Sequence, residues 1–133
     1  MRQIGVGIVG AGSIAEIGHC PSIAALPNAK LAALCDTNTR ILESMAKKWE
    51  PEKTYTDYGQ MLEDKNVEVV IVGTPNRFHA QQAIDAMRAK KHVIVEKPFA
   101  CTHNEAWKMV EVSKKEGVFL MAGTNQRFWE QNR

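Results

Sequence analysis

The chain has 133 residues, with 17 lysines and arginines against 15 aspartates and glutamates, for a formal charge of +2. A chain of this length can bury a real core, about 65–70% of the surface its unfolded form exposes, but does not comfortably hold two domains. The near-neutral balance gives no reason to expect a nucleic-acid or membrane partner, and 44% hydrophobic with 24% charged residues is ordinary for a globular protein.

The first apolar run, Ile4 to Val9, follows a basic residue and invites comparison with a signal peptide. Its glycines and its continuation into a glycine-rich turn argue for a strand instead. A helix is predicted from Ser13 to Leu26, kinked or broken near His19 and Cys20 because Pro21 removes a hydrogen bond and clashes with the preceding turn. Further strands are expected at Lys30 to Cys35, Lys53 to Tyr55, Val67 to Val72, His92 to Val95 and Val118 to Ala122. Helix-period segments lie between them, at Thr39 to Trp49, Asp57 to Leu62, His79 to Lys90 and Asn104 to Glu116. Thr102 and Glu105 form a capping box for the last helix and Gly117 stops it.

This alternation is the signature of a doubly wound α/β fold with a parallel sheet in the order 3-2-1-4-5-6. No repeat, low-complexity stretch or linker interrupts it. Residues 1–123 are read as one Rossmann domain and 124–133 as the start of a connection to a further domain. No run approaches the roughly 20 apolar residues of a membrane-spanning helix. Cys20, Cys35 and Cys101 are odd in number and widely spaced, without a metal-ligand cluster, which fits a reducing cytoplasmic compartment and no metal.

Two places carry chemistry. In Gly10-Ala11-Gly12-Ser13-Ile14-Ala15, Gly10 permits a tight turn, Gly12 lets a pyrophosphate approach the backbone, and Ala15 lets the helix pack on the sheet. The helix start at Ser13 and Ile14 offers N–H groups to phosphate oxygens. Alone, such a turn can be merely a flexible connection. Asp36, at the end of the second strand and about 24 residues beyond Gly12, has the spacing of the acid that binds adenosine ribose hydroxyls. It can equally cap the Thr39 helix. A carboxylate there repels a 2'-phosphate and favours NAD over NADP, while Arg40 just beyond is the residue that can pair with that phosphate.

The second place is Lys91-His92-Val93-Ile94-Val95-Glu96-Lys97-Pro98, preceded by Gly73-Thr74-Pro75-Asn76 with His79 three residues later. Together with the glycine turn, these motifs resemble the N-terminal half of the Gfo/Idh/MocA oxidoreductases, in register from Gln3 to Phe128. The resemblance implies a Rossmann domain followed by a larger α/β domain, and hydride transfer between a nicotinamide and a hydroxyl-bearing carbon of a sugar or cyclitol. Lys97 would then bind the reacting oxygen, with Glu96 and Pro98 shaping the strand end. Thr74, Pro75, Asn76 and His79 would line the cofactor.

Independently of the family, strand ends at a topological switch point are where ligands bind in such sheets. An ammonium there stabilises negative charge as it develops on an oxygen. Without its flanking Glu96 and Pro98, Lys97 would read as a surface lysine paired with an acid, and His79 as a helix-start residue held by the backbone. Asn125 and Arg127 either face the site or belong to a solvated tail. Trp107, Met109 and Val110, like Met45 and Trp49, read as helix packing.

The resemblance places the acid/base histidine and most of the substrate pocket in a second domain, beyond Arg133. The expectation is therefore a cofactor-binding half that turns over little alone, with Phe128 and Trp129 on a bare surface prone to homodimer formation. The alternative is a stand-alone dinucleotide-binding or redox-sensing module. A methyltransferase would share the glycine turn and strand-end acid but leaves Glu96-Lys97-Pro98 unexplained.

Overall fold

The structure, a computed structural model, describes residues 1–132, with the side chains of Phe128 and Asn132 outside the described set. Six strands, β1 (Ile4–Val9), β2 (Ala29–Cys35), β3 (Lys53–Tyr55), β4 (Val69–Val72), β5 (His92–Glu96) and β6 (Leu120–Gly123), form one sheet. Its order is β3-β2-β1-β4-β5-β6, and every pairing is parallel. The helices are α1 (Cys20–Ala25), α2 (Thr39–Trp49), α3 (Tyr58–Glu63), α4 (His79–Arg88) and α5 (His103–Glu116).

Side chains alternate across a strand, so one strand feeds two cores. Val70 and Val72 of β4 join Ala83, Met87 and Met109 from α4 and α5 on one face. Ile71, between them, joins Ile23, Leu42 and Met45 from α1 and α2 on the other. Burial on both faces explains why the central strands read as continuous apolar runs.

The first helix runs from Ser13 to Ala25 without a break and widens by one residue just before the proline. Residues Ala15–His19 form a π-helical turn, closed by the Cys20 N–H on Ala15 O, five residues back. Pro21 follows at the second position of α1, so the chain answers the proline with a π bulge rather than with a break. The Thr102–Glu105 capping box forms at α5, and Gly117 ends that helix with φ 67°.

Several expectations change. Asn38, not Asp36, caps α2: its side-chain oxygen accepts the N–H groups of Arg40 and Ile41 at 3.1 and 3.2 Å. β4 and β6 start two residues later than the apolar runs. The Val67 N–H closes the turn after α3 on Asp64 O, and the Val118 N–H closes the end of α5 on Ser113 O. Both apolar residues are thus used by the preceding helix end before the ladder begins. Met109 is buried as expected and Met45 likewise, but Trp107 lies on the outer face of α5, 60% exposed. Trp129 is also exposed, while the expectation for the Phe128 side chain lies outside the described residues. Among the described residues no helix is long and apolar enough to cross a membrane.

Candidate functional site

β1 and β4 are sequence-distant neighbours, and the chain reverses its winding between them, so their carboxyl ends leave a crevice. Gly10 turns the chain there with φ 93°; a Cβ at that position would sit 2.6 Å from Gly73 O. Its N–H bonds to Cys35 O at 2.9 Å, and the Gly73 N–H bonds to Val9 O at 2.9 Å, so the ends of three strands are fastened together. Gly12 faces open space, with nothing within 4 Å of a modest side chain's first carbon.

The resulting cleft, ≈ 480 Å³, is lined by Gly10, Gly12, Asp36, Thr37, Tyr58, Gly73, Thr74, Pro75, Phe78 and Gln82, among others. Asp36 has two structural duties: Oδ2 accepts the Ala11 N–H at 2.9 Å and Oδ1 accepts the Asn38 N–H at 2.8 Å. A carboxylate has about four lone-pair sites, so acceptor capacity is left for ligand hydroxyls. Beneath it, burial pushes the Cys35 thiol up to about 12, with Asp36 and Asp57 adding to the shift, so this floor residue is a neutral packing group.

Thr37, Tyr58, Phe78 and Gln82 are wall residues that the sequence did not single out. The Thr74 hydroxyl donates to Gln82 Oε1, and the Tyr58 hydroxyl donates to Gln82 O at 2.6 Å. Burial raises the Tyr58 hydroxyl well above the usual tyrosine range. Phe78 is a large apolar side chain exposed on a tight turn, the one signal that sequence reading could have used.

Arg40 stands elsewhere. With Ser13, Ala11, Glu16 and Ser44 it lines a neighbouring recess, and Gly12 is the wall that this recess shares with the main cleft. Asp36 and Arg40 therefore line adjoining recesses that meet at Gly12.

A second cleft, ≈ 320 Å³, opens between Ile14, Gly18, His19 and Ser22 on one side and Glu96, Lys97 and the end of β6 through Asn125 on the other. Arg127 is exposed and stands outside this lining. Among the described residues the Lys97 ammonium has no ion-pair partner. The surface-pair reading of this lysine thus finds no acid. Glu96 is not within ion-pair distance of it and has Oε1 2.8 Å from His19 Nε2. The Lys97–Pro98 peptide is cis.

His79 corrects an expectation. It is 1% exposed and does not line the cofactor cleft. Its Nδ1 lies 2.8 Å from Pro98 O and its Nε2 2.6 Å from Thr74 O, so the ring bridges the two loops from beneath. Asn76 likewise misses the cleft wall: it is exposed on the short 3₁₀ turn that follows Pro75.

The parallel sheet, the switch-point crevice, the glycine turn and the acid at the end of β2 define a nucleotide-binding Rossmann domain. The pattern of an oxidoreductase family with an NAD-binding Rossmann fold matches residues 4–124. The chain belongs to that family, the Gfo/Idh/MocA oxidoreductases, as its NAD(P)-binding domain. It is 35% identical over 123 residues to the myo-inositol 2-dehydrogenase of Thermotoga maritima, covering 92% of this chain and 36% of that protein. The structure of GenD2 from gentamicin A biosynthesis, in complex with NAD, superposes with a TM-score of 0.93 at 26% identity, over 98% of this chain and 37% of that one. KijD10, a 3-ketoreductase from Actinomadura kijaniata in complex with NADP, gives 0.93 at 27% identity, over 99% and 42%. The chain thus spans well under half the length of these relatives.

Proposed function

We propose that this domain binds NAD(H) in preference to NADP(H) and presents Lys97 to the reacting oxygen of a hydroxyl-bearing carbon in a sugar, cyclitol or similar small molecule. The observation that carries the reading is the pair of clefts at the carboxyl ends of the strands. Asp36 lines one, and Lys97, whose ammonium has no ion-pair partner among the described residues, lines the other.

A bound nicotinamide supplies the hydride acceptor or donor. The chain's own residues hold and orient it. Backbone at Gly10 and Gly12 leaves room for a pyrophosphate, and the N–H groups of the adjoining turn favour its charge. Asp36 accepts ribose hydroxyls with its spare lone pairs and repels a 2'-phosphate. What supports NAD over NADP is that Arg40 lines the outer recess rather than the cleft that holds Asp36. Thr74 and Pro75 line the cleft that holds Asp36, and in the second cleft Lys97 stabilises negative charge on the substrate oxygen. Removing one such donor from a preorganised site typically slows a reaction by about 10²–10³-fold.

The test is a titration of the purified chain with NADH and with NADPH, followed by nicotinamide fluorescence. Saturable binding with NADH at least several-fold tighter is expected. Equal affinity for both, or none for either, would overturn the reading. The edge strand β6 and the segment before it expose Phe119 at 80% and Met121 at 50%, which supports self-association through this edge. A monomer by light scattering at high concentration would count against that.

A further inference from the structure

The turn that carries Lys97 is held from the other side of the second cleft. β5 ends at Glu96, whose Oε2 accepts the backbone N–H of Lys97 at 3.2 Å. Its Oε1 lies 2.8 Å from His19 Nε2, and the two side chains, His19 and Glu96, are only 18% and 14% exposed. A carboxylate so far withdrawn from water is costly unless a donor or a positive charge faces it. The adjacent ammonium of Lys97 does not do this, which leaves Lys97 free for another partner.

His19 reaches Glu96 because the chain after the glycine turn is not an ordinary α-helix. The π-helical turn Ala15–His19 contains one residue more than an α turn. An extra residue rotates the next stretch of helix by about 100°, the angle of one α-helical step. His19 thereby occupies roughly the face that position 18 would hold in an unbroken helix, and position 18 is a glycine with no side chain to offer. The contact itself is one of proximity: Nε2 is buried and meets no acceptor in hydrogen-bond alignment. Gly123 of β6 leaves the room that Glu96 needs, since a Cβ there would lie 3.4 Å from Glu96 Oε1.

We propose that His19 is a positioning residue for Lys97. By holding Glu96 Oε1 it fixes the carboxylate whose other oxygen holds the Lys97 backbone, and so ties the helix after the glycine turn to the turn that bears the ammonium. The functional weight of this tie rests on the reading of Lys97 given above; the tie itself does not.

The test is amide hydrogen exchange at Lys97 in the purified chain, by NMR, with the amides of Val70 and Val72 as controls for an intact sheet. His19→Leu should speed Lys97 exchange about two- to tenfold, the factor carried by one ordinary hydrogen bond. His19→Gln, which keeps a side-chain donor, should bring it back to the original rate. Exchange unchanged in His19→Leu, or equally fast in His19→Gln, overturns the proposal. Should His19→Leu fail to fold, Glu96→Gln decides: it keeps the shape and removes the charge, and an unchanged Lys97 rate overturns the tie. NADH titration of the same variants is read separately, so loss of cofactor binding in the unmutated chain would sink the functional reading while leaving this result standing.

Discussion

Asp36 Oδ2 accepts the backbone N–H of Ala11 at 2.9 Å, which joins the end of β2 to the turn after β1. The residue read as the ribose acid therefore also shapes the phosphate turn, and its replacement has two separable effects. Asp36→Ala removes acceptors for both the Ala11 and Asn38 N–H groups. A loss of about 1.5–3 kcal/mol per charge-assisted bond sets an upper range, and partial solvation brings the expected cost to about 2 kcal/mol in urea unfolding. Asp36→Asn keeps one acceptor oxygen and removes the charge. One of the two backbone N–H groups then faces the amide NH2 instead of an acceptor, so this variant should recover only part of that stability while the ratio of NADPH to NADH dissociation constants falls. An unchanged ratio would remove Asp36 from cofactor choice.

His79 bridges Thr74 O and Pro98 O with its two ring nitrogens. A neutral imidazole donates from one nitrogen only, so any replacement must be judged by what it leaves the two carbonyls. His79→Leu fills similar space without a donor and leaves unsatisfied the one carbonyl that the neutral ring can serve, so it should cost about 1–3 kcal/mol of stability. His79→Gln should cost less by restoring one bond. Because the Thr74–Pro75 wall rests on this ring, NADH affinity should fall in the same order. A stability change under about 0.5 kcal/mol in His79→Leu, the range of ordinary surface substitutions, would show that the bridge holds nothing.

Local signals made most of the fold legible. β1, β3 and α2 have the bounds that apolar runs and turn residues indicate, and the Thr102–Glu105 box and Gly117 mark α5 by their side chains alone. The errors at β4 and β6 share a cause: Val67 and Val118 are apolar, but their N–H groups go to the preceding helix ends. In the site, the positions of Asp36 and Lys97 beside clefts could be anticipated because each sits at a strand end that topology turns into a crevice, while the roles given to them rest on the proposal above. His19, Tyr58 and Gln82 were not. Their roles depend on a π turn whose register no periodicity announces, and on contacts between segments far apart in the chain. His79 shows the opposite limit, since a motif position that reads as a cofactor contact serves as a brace behind the wall.

The three cysteines should behave differently. Cys20 and Cys35 are buried and Cys101 is exposed. Burial, with Glu16 adding, raises the Cys20 thiol to about 11, and burial with Asp36 and Asp57 raises Cys35 to about 12, both from 9.0. At pH 8 a thiol reagent should therefore titrate one thiol in the folded chain and all three after denaturation. The same shifts set a stability trend. Above pH 9 the unfolded chain loses protons that the folded chain keeps, so the folded state binds more protons and stability falls as pH rises toward 11 and 12. Each thiol contributes a slope of up to about 1.4 kcal/mol per pH unit in that window, and nothing below pH 8. Cys35→Ala should flatten the alkaline decline of the urea midpoint by about half of that two-thiol slope. An unchanged decline would assign it to other groups.

Gly10 and Gly12 look alike in the sequence and should fail differently. Gly10 has φ 93°, and a Cβ would meet Gly73 O at 2.6 Å and Thr74 N at 2.8 Å, both of them backbone. Neither atom can swing aside, so Gly10→Ala combines left-handed strain of about 1–3 kcal/mol with displacement of the β4 end. It should lower stability by at least about 2 kcal/mol and lose cofactor binding with it. Gly12 has a permitted backbone and open space around it. Gly12→Ala should therefore unfold within about 0.5 kcal/mol of the unmutated chain, or be slightly more stable through the reduced freedom of its unfolded state. Its methyl group would stand where a pyrophosphate approaches, so NADH affinity should drop at least tenfold while circular dichroism and urea midpoint stay put. That combination separates a turn that needs flexible residues from a turn shaped for phosphate. Stability and affinity falling together at Gly12, or neither changing, would return the motif to the merely structural reading.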